Sequence, residues 1–266
     1  MKNFIGLCAA VLVILSGFAA GAGAAEYKPV LCAGQLAGAF SGGEWISGSG
    51  KVTVDGKTMS MMEVNADEKL LKRIMASDSG LPCENEFVKK GGKLVFFRAD
   101  GRKAEAVVTG ISLYYEGEAS GEAGLSVETD MDIETDWSEL IVGVAGDVDA
   151  APRPTVRVSS GDGVTYSCEY AGEKFSVSWN KDKDGGIKGK LTVGDRSWPL
   201  EEENEDGPSV IPQSLDDVQG GFFDLDGDGL LELAVYDNGR EGFFALFRVD
   251  QEKAPEMFSW LYTGAE

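Results

Sequence analysis

Apolar and polar residues alternate in short runs along most of the chain, and the runs end at Gly, Asp or Asn. A period of two sends successive side chains to opposite faces of an extended strand, so these runs predict half-buried β-strands joined by tight turns. KVTVDGKTMSM (51–61) alternates about an Asp-Gly turn, and KLVFFRADGRKAEAVV (93–108) repeats that hairpin pattern. FSVSWNKDKDGGIKGKLTVGDRSWPL (175–200) does so again, with Phe175, Val177 and Trp179 on one face of its first strand. Only NADEKLLKRIMAS (65–77) carries a helical period. There Asn65 is the expected cap, Glu68 takes the capping-box position, and Leu70, Leu71, Ile74 and Met75 form an apolar stripe read as core. The fold class predicted is mainly β: short antiparallel strands and hairpins in two β-rich halves, with one short helix near 66–76.

The remaining organisation follows from composition. Lys2, the apolar stretch Ile5 to Phe18 and the small residues Ala19 to Ala25 read as an export signal. Residues 1–25 are therefore expected to be removed near Ala25, leaving a periplasmic or secreted chain with an N-terminal half at 26–158 and a C-terminal half at 159–266. No other stretch approaches the roughly 20 apolar residues of a membrane helix. The chain carries 45 acidic and 24 basic side chains, a formal net charge of -21. Such a surface repels phosphate backbones, which argues against nucleic acid and in favour of divalent cations or a basic protein as partners. The acidic stretch 201–217 is expected to loop across the surface. Beyond the signal, Cys32, Cys83 and Cys168 allow at most one internal disulfide; Cys32 with Cys83 is preferred because it would tie down the N-terminal segment.

The chemistry is concentrated in FFDLDGDGLLELAVYDNG (222–239). Calcium takes six to eight oxygen ligands, and a short loop that binds it points a carboxylate inward at every second residue. Asp224, Asp226 and Asp228 stand at loop positions one, three and five, Gly229 permits the sharp turn at six, Leu230 offers its carbonyl at seven, and Glu232 stands at nine. An EF-hand needs a bidentate Glu at twelve; Val235 is there instead, in a strand-like run. A metal-free hairpin turn would also favour Asp and Gly. It has no use for three carboxylates on one side, where they repel one another without a cation. A fainter copy, TDMDIETDWSELIVGVAG (129–146), offers Asp130, Asp132, Glu134 and Asp136 without the glycine, and the pair suggests two related halves near 81–158 and 164–250. NKDKDGG (180–186) also alternates Asn180, Asp182 and Asp184. Lys188 occupies its ninth position, so a hairpin turn is the better reading.

The 224–232 loop resembles the FG-GAP or VCBS-type repeat, in which D-x-D-x-D-G-x-x-[DE] joins two strands and the second begins L-x-V. Asp224, Asp226, Asp228, Gly229, Glu232, Leu233 and Val235 carry the likeness. The resemblance implies β-propeller blades or related β modules, calcium in the loop and a place in exported adhesion or binding proteins, with a surface glycan or another protein as ligand. Residues 164–200 resemble the opening of the membrane-bound inhibitors of c-type lysozyme, through Tyr166, Cys168, Gly172, Phe175, Val177, Gly194, Trp198 and Leu200. That likeness implies inhibition of a basic hydrolase, although the family's S-G-x-x-Y loop and a later cysteine partner for Cys168 are absent from the sequence.

Catalysis has little to draw on. The chain has no histidine, which removes His-based triads and most catalytic zinc sites. It has neither a G-x-S-x-G elbow nor a phosphate-cradling glycine loop. A carboxylate-dependent hydrolase would need a facing acidic pair, and no spacing singles one out. The expectation is a non-catalytic binding module with a structural calcium loop; a hydrolase inhibitor and a carboxylate hydrolase are the alternatives.

Overall fold

The computed structural model describes residues 27–32, 35–115, 121–131, 141–145, 154–200, 210–239 and 242–262. The signal-like segment 1–25 lies outside them. The N-terminal half opens with β1 (Lys28–Cys32), β2 (Gln35–Ser41) and β3 (Glu44–Ser47), then the predicted Asp-Gly hairpin of β4 (Lys51–Val54) and β5 (Lys57–Ser60). Two helices follow, α1 (Met61–Ala66) and α2 (Glu68–Met75), where the period suggested one. The break is a matter of capping. Ser60 caps α1 in a capping box with Glu63, and Asp67 ends α1 while its side chain accepts from Leu70 N to begin α2. Asn65 is thus no cap; its Oδ1 accepts a hydrogen bond from Ala123 N. Of the expected stripe, Leu70 and Ile74 are buried, Leu71 is half-buried and Met75 is exposed.

Short strands β6 (Leu81–Pro82) and β7 (Glu84–Asn85) lead into the second predicted hairpin, β8 (Lys93–Arg98) with β9 (Lys103–Tyr115), and then β10 (Ala123–Thr129) and β11 (Ile141–Ala145). Six of these strands, in the order β1-β11-β8-β9-β10-β2, close into an antiparallel barrel because β1 also pairs with β2. Closure leaves no free edge within the ring. β3 and β6 attach to it, and β5-β4-β7 forms a separate small sheet.

The C-terminal half has two sheets. β12 (Val156–Ser160), β13 (Gly163–Tyr170), β14 (Glu173–Lys181), β15 (Ile187–Val193) and β16 (Arg196–Leu200) form a five-stranded meander. β17 (Val218–Phe223), β18 (Leu231–Asp237), β19 (Phe243–Val249) and β20 (Glu256–Tyr262) form a four-stranded one. β12 spans the expected 158/159 boundary and pairs with β13, so the C-terminal sheet begins before it.

Three cores hold these parts together. The first gathers Leu31, Leu94, Phe96 and Leu113 of the barrel with Val52 and Val54 of the small sheet and Val64, Leu70 and Ile74 of the helices. The second lies between the two C-terminal sheets, with Phe175, Val177 and Trp179 against Phe222, Leu233 and Val235. The third joins the halves: Val30, Cys32, Phe40, Phe97, Val142 and Val144 from the barrel meet Phe223, Ala234, Tyr236, Phe244 and Leu246. Val30 and Cys32 flank Leu31 and lie in a different core from it, as alternation on a barrel wall requires. The four-stranded sheet is covered on both faces, which explains why LELAVYD and FFALFRV are apolar at almost every position.

The cysteines are divided among these cores, Cys32 in the third, Cys83 packed against the first and Cys168 in the second. The expected Cys32–Cys83 bridge is not formed: Cys32 is buried in the core shared by the two halves, whereas Cys83, between β6 and β7, packs against the first core. In its described part, from 210 onward, the acidic stretch 201–217 is loop and turn, half-buried or exposed apart from Val210 and Pro212, and Val210 anchors it in the C-terminal core.

Candidate metal centre

β17 and β18 form a hairpin in register from Val218↔Asp237 to Phe223↔Glu232, and the loop between them is the Asp-rich segment. Gly227 (φ 79°) and Gly229 (φ 87°) take left-handed conformations that a side chain disfavours, so the two glycines fold the tip back on itself. The tip is then fixed by its own carboxylates: Asp224 Oδ1 accepts from Gly227 N (2.9 Å), Asp226 Oδ1 from Asp228 N (3.0 Å) and Asp228 Oδ1 from Leu230 N (2.7 Å). Glu232 Oε2 accepts from Leu225 N across the base of the loop at 2.7 Å.

This folding brings Asp224, Asp226 and Glu232 together, one carboxylate oxygen from each lying within 4.8 Å of the others. The cluster can hold a metal ion, and it is the one such acidic group among the described residues. Asp228 stands outside it, exposed and bonded to Leu230 N, and the Leu230 side chain is exposed. Of the five ligands expected from the sequence, three side chains therefore converge, and Asp228 contributes charge rather than a converging oxygen.

Burial sets the energetics. Glu232 has no exposed surface and Asp226 is 8% exposed. Glu232 Oε1 and Asp226 Oδ2 are buried without a hydrogen-bond partner, a costly arrangement for a carboxylate unless a cation satisfies it. Burial pushes the Glu232 carboxyl up to about 8; the Leu225 N–H opposes this, and the charges of Asp226, Asp228 and Asp224 add to it. Burial likewise raises Asp226, with Arg248 opposing.

Two basic side chains not flagged from the sequence also reach the loop. Lys28 of β1 donates to the Asp226 carbonyl. Arg248 of β19 lies 3.7 Å from Asp226 Oδ2 and donates to the Gly43 carbonyl in the β2–β3 turn at 3.4 Å. Arg248 is also the register partner of Glu232, and a single arginine in the apolar run FFALFRV opposite a buried glutamate was the available signal. Lys28 offered none, being 198 residues from its partner. Tyr170 OH donates to the Gly229 carbonyl at 3.1 Å, tying the tip to the five-stranded sheet.

The other acidic runs do different work. Asp130 Oδ1 accepts from Val107 N at 2.7 Å, while Asp132, Glu134 and Asp136 lie outside the described residues. The suggested duplication is not reproduced in the topology, because β10 and β11, which flank that segment, do not pair with each other as β17 and β18 do. NKDKDGG is a hairpin turn: Asp182 Oδ1 accepts from Asp184 N and Gly186 N, and Lys188 lies 3.5 Å away. In the segment likened to lysozyme inhibitors, Tyr166, Cys168, Phe175, Val177 and Leu200 are buried core residues. Among the described residues no helix is long and apolar enough to cross a membrane. Comparison of the chain with known family models, with characterised proteins and with solved structures returns no match.

Proposed function

We propose that the chain is an exported, non-catalytic β protein whose 224–232 loop binds calcium as a structural ion, and that it serves as a binding or adhesion module. The observation that carries the cation is Glu232, a carboxylate with no exposed surface whose Oε1 lacks a hydrogen bond and which faces Asp224 and Asp226. Charge balance supports a divalent ion. When all three are ionised, Asp224, Asp226 and Glu232 carry three negative charges, and among the described residues Arg248 pairs with one of them, which leaves the two that one such ion neutralises. An all-oxygen, histidine-free set suits a hard cation, and an irregular, glycine-turned arrangement of oxygens suits calcium better than the strict octahedron of magnesium. Export rests on the signal-like residues 1–25. A surface glycan or a basic protein is the partner class that the acidic surface and the FG-GAP likeness favour.

Calorimetric titration of the chelator-stripped protein with calcium, beside an Asp226→Ala variant, tests the proposal. The expected result is one site with a Kd of about 0.1–1 mM, as in extracellular calcium modules, and a melting temperature that rises with calcium only in the wild type. Absence of heat at millimolar calcium would reduce the loop to a hairpin turn.

A further inference from the structure

The Asp-rich loop lies at the seam between the two halves of the molecule. Leu225, its buried apolar residue, is 0% exposed and belongs to the core shared by the barrel and the four-stranded sheet. Among the described residues, both polar ties from the loop to the N-terminal half pass through Asp226: Lys28 on its carbonyl, and Arg248, which joins its carboxylate to the Gly43 carbonyl.

We infer that ion binding at Asp224, Asp226 and Glu232 controls how firmly the barrel is held on the C-terminal sheets, a coupling that rests on the cation reading above. Without the ion, three carboxyl groups crowd within 4.8 Å of one another in a partly desolvated loop, where ionising them costs both repulsion and lost hydration. That cost is relieved when the loop swings toward water. That movement withdraws Leu225 from the shared core and releases Asp226 from Lys28 and Arg248 together. The barrel core and the core between the C-terminal sheets contain no residue of the 224–230 tip, so each remains intact while the seam loosens. An ion that binds only the closed seam suppresses opening by the factor 1 + [L]/Kd.

The chain carries its own reporters of this motion. Cys32 sits in the seam, 2% exposed, and Cys168 in the core between the C-terminal sheets, 5% exposed. Burial holds the Cys32 thiol well above its ordinary value, so a closed seam is inert to alkylation. The experiment is timed maleimide labelling of the full chain with and without calcium, each cysteine quantified by peptide mass spectrometry, in parallel with calorimetry. At free calcium about 100 times Kd, Cys32 labelling is expected to slow about 100-fold relative to chelator, with Cys168 little changed. Phe258→Ala, which removes ring contacts to Phe40 and Trp45 in the seam away from the loop, is expected to speed Cys32 labelling in calcium while leaving the heat of binding in place. Calcium binding with unchanged Cys32 labelling overturns the coupling and leaves the cation site standing. Equal protection of Cys32 and Cys168 also overturns it, by showing an ion that holds the whole fold. Absence of binding heat removes both readings at once.

Discussion

A carboxylate taken fully out of water costs several kcal/mol unless a cation or hydrogen bonds compensate it, and Glu232 retains one oxygen with neither. Its folded value near 8 lies above the unfolded glutamate value, so the protonated form favours the native state. Stability of the calcium-free protein should therefore fall as pH rises from about 4.5 through about 8, by at most roughly 5 kcal/mol from this residue. Urea denaturation in chelator at pH 5, 6.5 and 8 measures the slope. Glu232→Gln keeps an acceptor for Leu225 N without the charge, so it should flatten that slope, stabilise the calcium-free protein at pH 8 and weaken calcium binding at least about tenfold, near 1.4 kcal/mol. A wild-type slope no steeper than the variant's would show that Glu232 is not the buried charge described here. Sequence spacing marked this residue as a ligand because position nine is set by local loop geometry. It did not reveal Lys28 or Arg248, whose approach depends on how a barrel strand and a neighbouring strand pack around the loop.

Strand patterns were legible wherever one face is wet. The hairpins β4–β5, β8–β9 and β14–β15 fall where alternation and Asp-Gly or Gly-Gly turns place them, because side-chain period and turn chemistry are both local. Where both faces are covered, as in β18 and β19, alternation disappears and the sequence shows only an apolar run. The split of the single expected helix was missed because Ser60, at the end of β5, competes with Asn65 as a cap and has Glu63 placed to complete the box. Gly220 of β17 is another element-scale feature. A Cβ there would lie 2.7 Å from Val177 Cγ1 and 3.5 Å from Tyr166 Cβ, so the glycine sets how closely the two C-terminal sheets approach. Gly220→Ala should cost about 1–3 kcal/mol by overpacking. Adding Val177→Ala should recover part of that loss, a favourable coupling that a double-mutant cycle in urea detects. Strict additivity would mean that the sheets are not in contact at this point.

At the scale of the whole molecule, the barrel, the small helical region and the two C-terminal sheets share a chain whose net charge of -21 works against compactness. Barrel closure is not legible in the sequence, since it depends on β1 meeting both β2 and β11, about 100 residues apart along the chain. Charge acts on the molecule in two separable ways. General self-repulsion is screened by any salt over a Debye length of about 10 Å at 0.1 M, whereas the repulsion inside the 224–232 loop is buried and screened far less. Sodium chloride should therefore raise the melting temperature of wild type and Asp226→Ala alike. Calcium should add an increment in the wild type alone, smaller at 0.5 M than at 0.02 M salt because the surrounding negative field that draws the ion inward is weakened. Scanning calorimetry of both proteins, at matched ionic strength with and without calcium, separates the contributions. If calcium raises both melting temperatures equally, its effect is bulk screening of an acidic surface; an increment confined to the wild type at every salt concentration assigns it to the loop.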